Sequence, residues 1–548
     1  MTVRYHNELL DRLHLLKHDL SPVSGVEMVK LLKALSNIEF QTSVNWKKYY
    51  NELLFLLAYP ANTAIHSLAE NELTRLAGFL EKNKRVAEQL YNSGLPGTML
   101  TGCFSYALNG SLIESNRGDP ILYSVDGDKD TVMQFLNPTL SGIEREMLSE
   151  EKISWKAWMR LFAGRTKKEQ LLFFLRQTEN AVAGISAREA VFANFKLYTR
   201  VKLGYDHPVF LQTLGKYSAD YYHLQGLARP IKQKIFDPVK KSFTPLLISF
   251  SDQKALVQLA QKTICSFFKE TDPFTHASIK ETEYFSCGRG TSIALFYMHP
   301  EKKLELECYC GYLLLKNNIP VAYGGGWILG YQCRFGLNIL PAFRGGESVW
   351  LCSRLMQLFS VHFKVLSFII EPFQLGMGNT EGIRSAAFWF YYKMGFRPIQ
   401  AALCKLAAGE FKKLKSAMHH RTPVAALKKL SGSVMRLQDQ QCGTLPYYDI
   451  NAISRAVTAL ISADHHNDRA FAHVRLSEKF TAFKKQLPLS VMLLIEKNSV
   501  EKPFNGRKIS ALAELFGIKA EREREFVWGM QRQDHFLRLL EAADPFAM

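Results

Sequence analysis

A pair of glycines between an arginine and the start of a helix is the best-placed anion site in this chain. The segment is Leu340-Pro341-Ala342-Phe343-Arg344-Gly345-Gly346-Glu347-Ser348, and Leu351, Leu355 and Leu358 after it keep the spacing of a helical apolar stripe. A helix amino terminus offers free N–H groups and the positive end of a dipole, so a phosphate or pyrophosphate is stabilised there. Glycine lets the anion approach without a Cβ in the way, and Arg344 adds a charge-assisted contact. Downstream, the apolar run Val365 to Ile370 predicts a strand ending at Glu371, where a carboxylate would take a proton from an amine directly or through water. Other polar clusters carry less chemistry. Cys308 and Cys310 share one face of a strand with no second pair at zinc spacing, and read as small buried hydrophobes. His419-His420 and Asp464-His465-His466 lack partner spacing and read as surface side chains, so no metal site is expected.

These residues need a scaffold, and the composition bounds it. A chain of 548 residues has room for about three domains. Its hydrophobic share of 47% and charged share of 22% are those of a folded globular protein, not of a disordered or fibrous one. No uncharged apolar run approaches the length that spans a bilayer, and Met1 to Lys17 lacks the apolar core of a secretory signal. Nine cysteines scattered along the chain suit reduced thiols, and the expectation is a cytoplasmic protein. The net charge of +18 attracts phosphates at long range. Part of it is concentrated in Lys405 to Arg436 and Arg229 to Lys241, which read as solvated basic faces. The charge allows nucleic acid as a partner, but no nucleic-acid motif or aromatic stacking pattern interleaves the basic residues.

Along the chain, Leu73, Leu76, Ala77 and Leu80 recur at helical period, and Val86 and Leu90 extend the stripe to Ser93-Gly94. The same texture continues in Lys152 to Phe162 and Lys168 to Leu203, across a turn-rich break from Asn109 to Asp128. Residues 1–205 are therefore expected to form an all-helical domain. Residues 206–243, with Pro230, Pro238 and neighbouring lysines, read as a linker. A short strand Thr244 to Phe250 and a helix Asp252 to Phe268 then open an α/β region. Strands are predicted at Ser292 to Met298, Leu304 to Lys316, Val321 to Leu329 and Phe335 to Leu340, with Asn317-Asn318-Ile319-Pro320 as a hairpin turn. Gly324 to Gly326 predict a bulge or a close approach in the third. Residues 244–408 form this α/β domain, and 409–548 read as a helical C-terminal extension.

After the strand Val365 to Ile370 comes an aromatic helix, Ser385 to Lys393, closed by Gly395-Phe396-Arg397-Pro398. Pro341-Ala342-Phe343-Arg344-Gly345, followed by Tyr391-Tyr392-Lys393-Met394-Gly395-Phe396, resembles the GNAT acyltransferase superfamily over roughly residues 244–408. The resemblance implies a GNAT-like mixed sheet in the middle domain and acetyl-CoA or another acyl-CoA as donor substrate. It implies that Arg344, Gly345, Gly346, Glu347 and Ser348 hold the pyrophosphate, and that the strand carrying Asn338 and Leu340 pairs its backbone with pantetheine. Tyr391, four residues before Gly395, takes the family's position for the acid that protonates the departing thiolate, with Tyr392 as the neighbour to which that assignment could slip. A phenol with a reference pKa of about 10 suits that role, and Glu371 is the candidate base.

Two positions depart from the pattern. Glu347 stands where the family has a second glycine, and Val349 where it has a final Gly or Ala. A carboxylate aimed into the loop would repel a pyrophosphate. Three functions follow: an acyl-CoA-dependent N-acyltransferase acting on an unidentified amine, a GNAT-fold scaffold without catalysis, or a transferase using aminoacyl-tRNA as donor.

Overall fold

Apolar and aromatic runs separated by short turns in the middle of the chain fold into a large mixed sheet, with helices supplied by the sequence on both sides. The structure is a computed structural model. It describes residues 3–542 except 20, 116–118, 151–152, 204–218, 229–234, 237–242, 418, 481–486 and 499–505.

Three strands, β1 (Met99–Cys103), β2 (Ile121–Val125) and β3 (Leu197–Lys202), make a small antiparallel sheet in the order β1-β3-β2. The large sheet contains β4 (Thr244–Pro245), β5 (Glu283–Gly288), β6 (Thr291–Phe296), β7 (Cys308–Lys316), β8 (Ile319–Leu329), β9 (Gln332–Ile339), β10 (Ser367–Ile370), β11 (Arg397–Pro398) and β12 (Met435–Gln438). Its order is β11-β12-β10-β9-β8-β7-β6-β5-β4. Pairing is antiparallel from β4 to β9 and parallel between β9 and β10. β12 inserts between β10 and β11, antiparallel to both.

Local chemistry explains the register. Asn317 and Asn318 join β7 to β8 with φ of 46° and 65°, the left-handed pair that a tight hairpin needs and that asparagine tolerates. Gly324, Gly325 and Gly326 pair regularly with β7 and β9, so the expected bulge is not there; the irregularity lies between Leu314 and Leu315. The glycines serve close approach instead. A Cβ on Gly324 would overlap the Gly336 carbonyl, one on Gly325 the Tyr309 ring, and one on Gly326 the Phe359 ring.

One core joins the large sheet to the first helices, bringing Leu53, Phe55 and Leu76 together with Phe296, Leu314 and Met356. A second gathers Trp158, Phe174 and Phe195 beneath the small sheet, and a third packs Leu476, Val491, Leu512 and Phe536 in the C-terminal helices. Three expectations are corrected. Residues 1–205 are not all-helical, because β1, β2 and β3 lie within them; each is short, and Met99 finds its partner only at Lys202. The α/β region does not end at 408, because β12 lies beyond it and completes the sheet. His465 is not a surface residue: it is fully buried, packing on Phe471, while His466 is exposed. Most of the expected linker, 206–243, lies outside the described residues, but His223 is described, and its amide donates to the Pro60 carbonyl at 2.8 Å. Cys308 and Cys310 are buried free thiols. Among the described residues no helix is long and apolar enough to cross a membrane.

Candidate functional site

The parallel neighbours β9 and β10 of the large sheet part company. β9 pairs with β10 only from Gln332 to Arg334, and then continues to Ile339 while β10 ends at Ile370. The edge of β9 from Phe335 onward is left without β10 alongside it. Into this gap the helix Ala387–Lys393 sends Tyr391, edge-on to Phe335 at 6.3 Å and to Phe396 at 5.6 Å between ring centroids. Its hydroxyl lies beside the Leu337 backbone amide. Burial pushes the phenol well above its ordinary value and the Leu337 amide opposes this only in part, so the hydroxyl keeps its proton. Tyr392 turns elsewhere, stacking on Phe388 at 5.9 Å beneath the Arg397 guanidinium at 4.1 Å. Of the two adjacent tyrosines, Tyr391 is the one that reaches the β9 edge.

Glu371 follows β10 directly and is bound by Arg334 at 2.6 Å, which also grips Glu307 at 2.7 Å. Asn379, the capping residue of the short helix Thr380–Arg384, accepts from the Gly382 amide. Gln374 lies across Gly336, where a Cβ would come within 2.6 Å of its Nε2. Asn338 is exposed, whereas Leu340 is buried with its amide donated to Val321 at 3.0 Å, so that amide is not available to a ligand.

The loop after β9 begins as a short turn, Pro341–Phe343, and passes through Gly345 at φ 85° into the helix Ser348–His362. Arg344 is more than half exposed and makes a surface pair with Glu381. The first helices lie on this loop. A Cβ on Gly345 would approach His18 Cε1 at 2.9 Å, and one on Gly346 the Tyr59 ring at 3.0 Å. Tyr59 is fully buried, with its hydroxyl beside the Glu347 amide but completing no hydrogen bond.

Glu347 is turned into the protein. Its Oε2 accepts from Lys316 Nζ at 2.6 Å, and its Oε1 accepts from Arg289 Nη2 at 2.7 Å and from the Ala228 amide at 2.6 Å. Burial alone would raise this carboxyl; Lys316 above all, then the Ala228 amide and Arg289, outweigh burial and hold it below the usual carboxylate range. Burial pushes the Lys316 ammonium down to about 8, partly countered by Glu347. His223 accepts from Arg289 through Nδ1 at 3.4 Å, and burial, reinforced by Lys316, pushes it down to about 3. Asn317 ties the group to the first helices by donating to Ala58 at 2.9 Å. The carboxylate expected at the pyrophosphate loop is thus neutralised inside the protein, leaving only the Glu347 backbone at the helix mouth.

The structure brings Gly345, Gly346, the Glu347 backbone and Ser348 to one helix start, and Tyr391 and Glu371 to the gap between β9 and β10. Sequence reasoning missed Lys316, Arg289, His223, Tyr59 and His18. One signal was present: Lys316 closes a nine-residue strand that is buried throughout and otherwise uncharged. Among the described residues no cluster of His, Cys, Asp or Glu is arranged to hold a metal ion. Compared with known proteins, the chain matches no family model, no curated protein and no solved structure.

Proposed function

We propose that this chain is an acyl-CoA-dependent N-acyltransferase that moves an acyl group from the thioester directly to an amine. The observation that carries the reading is the gap between β9 and β10 with the Tyr391 hydroxyl beside the Leu337 amide. Withdrawal of the Glu347 carboxylate supports it, because the negative charge that would oppose a pyrophosphate is spent on Lys316 and Arg289. In this mechanism the amine nitrogen attacks the thioester carbonyl, and amides along the free edge of β9 stabilise the oxyanion. As the carbon–sulfur bond breaks, the Tyr391 O–H gives its proton to the thiolate. The ammonium proton leaves to solvent, directly or by way of the half-exposed Glu371 that follows β10, and a proton returns to the phenolate. Acetyl-CoA titrated into the protein is expected to bind by calorimetry, and Arg344→Glu to weaken binding. Tyr391→Phe is expected to lower kcat by about a hundredfold or more with little change in affinity. Absence of binding at millimolar acetyl-CoA would sink the proposal.

A second reading, a scaffold without catalysis, is favoured by one observation: His18 and Tyr59 lie on both loop glycines. It requires that acetyl-CoA fail to bind the wild type and also a Tyr59→Ala variant.

A further inference from the structure

At the far edge of the large sheet, β11 and β12 set two arginines directly opposite each other. Arg397 and Arg436 are register partners in an antiparallel pair, so both side chains stand on one face. Like charges directly opposite each other are destabilising, and although Arg397 is exposed, Arg436 is half-buried, where solvent screens the repulsion less. Among the described residues the partners of the two arginines are backbone carbonyls and the Tyr392 ring, with no carboxylate at ion-pair distance. The nearest acidic residue in sequence, Asp439, accepts from the Gln441 amide of its own turn. Both arginines line a half-open cavity of about 270 Å³ together with Gln438, Gln440, Ile399 and Leu437.

The guanidinium groups are held in place without being used up. Arg397 gives Nη1 to the carbonyls of Tyr392 at 2.9 Å and Phe396 at 2.7 Å while lying over the Tyr392 ring. Arg436 gives Nη1 to the Leu445 carbonyl at 3.0 Å. Each keeps further N–H groups for a ligand, and an anchored fork loses little freedom on binding. Burial lowers the Arg436 pKa, and no counter-charge offsets the effect. Gln438, two residues along β12 and so on the same face, donates Nε2 to the Gly443 carbonyl at 2.8 Å; its Oε1 is buried without a donor. An acceptor without a donor beside two arginines without a counter-charge fits a ligand with both an anion and a hydroxyl, the buried Gln438 oxygen turning towards the cavity to meet it.

We propose that this cavity binds a small hydroxylated phosphomonoester, its phosphoryl group between Arg397 and Arg436 and a hydroxyl donating to Gln438. Two adjacent positive charges favour a dianion over a single carboxylate. The site lies on the other side of β10 from β9, and its ligand does not depend on acyl transfer.

Calorimetry on the full-length protein, with inorganic phosphate, glycerol 3-phosphate and acetate as probes, tests it. Both phosphates are expected to bind, glycerol 3-phosphate more tightly, and acetate at least about tenfold more weakly. Gln440→Glu changes an exposed residue at the rim, so its fold should be intact by circular dichroism and its phosphate affinity reduced by about tenfold or more. Gln438→Leu should abolish the advantage of glycerol 3-phosphate over phosphate, and Arg436→Gln should abolish binding. Acetyl-CoA affinity should be the same in Gln440→Glu as in the wild type, which separates this site from the proposed acyltransferase site. No phosphate binding to the wild type at millimolar concentration, equal affinity in Gln440→Glu, or acetate binding as well as phosphate would overturn the proposal.

Discussion

Glu347 shows how one side chain's direction changes the meaning of a loop. Its carboxylate is buried and shared by buried Lys316 and partly exposed Arg289, so removing one partner leaves a poorly compensated charge inside the protein. Glu347→Gln is expected to cost about 3–5 kcal/mol in urea unfolding, whereas the double change Glu347→Leu with Lys316→Met should cost less than the single one. A larger loss in the double variant would mean that the pair contributes more than it costs to bury. His223 adds a pH dependence. An unfolded histidine takes up a proton below its ordinary 6.5, while folded His223, facing Lys316, Arg289 and Glu347, stays neutral down to about 3. The unfolded state therefore binds more protons in that window, and stability falls as pH drops from 6.5 towards 3. His223→Asn should flatten that part of the stability profile measured by denaturant titration, and an unchanged slope would refute the assignment.

At the scale of elements, legibility followed locality. The β7 to β8 hairpin was readable because Asn317-Asn318 encodes its own turn, and the loop helix because its apolar stripe is continuous. β3 was hidden inside a helical reading: Leu197, Thr199 and Val201 alternate as a strand, but over only six residues, and their partners lie far away in sequence. The glycines of β8 left bulge and close approach both open, because spacing says nothing about which aromatic rings will cross a strand. Gly324→Ala would drive a methyl into the Gly336 carbonyl, which cannot yield as a flexible side chain would. A loss of about 1–3 kcal/mol or more is expected in thermal unfolding, while Gly409→Ala, with open space around it, should be tolerated. The parting of β9 and β10 was not legible either, since strand ends are set by pairing and not by composition.

At the scale of the whole molecule, the cores redraw the divisions suggested by texture. Buried side chains from Leu10 to Leu112 belong mainly to the core of the large sheet, whereas Trp158, Phe174 and Phe195 belong to another, and the C-terminal helices to a third. Hydrogen exchange should therefore protect Phe55 and Leu314 amides to the same degree, with the segment around Phe174 opening independently. Equal protection of all three regions would show one cooperative unit instead. The cluster around Glu347 has a kinetic consequence. It closes only when Ala228, Arg289, Lys316 and Glu347 have converged, each from a different stretch of chain. These contacts are expected to close only after the sheet around them has formed, which stopped-flow folding and unfolding rates of a Lys316→Met variant would test. Weakening them should speed unfolding and leave the folding rate almost untouched, so that this buried group acts as a latch on the lifetime of the folded state.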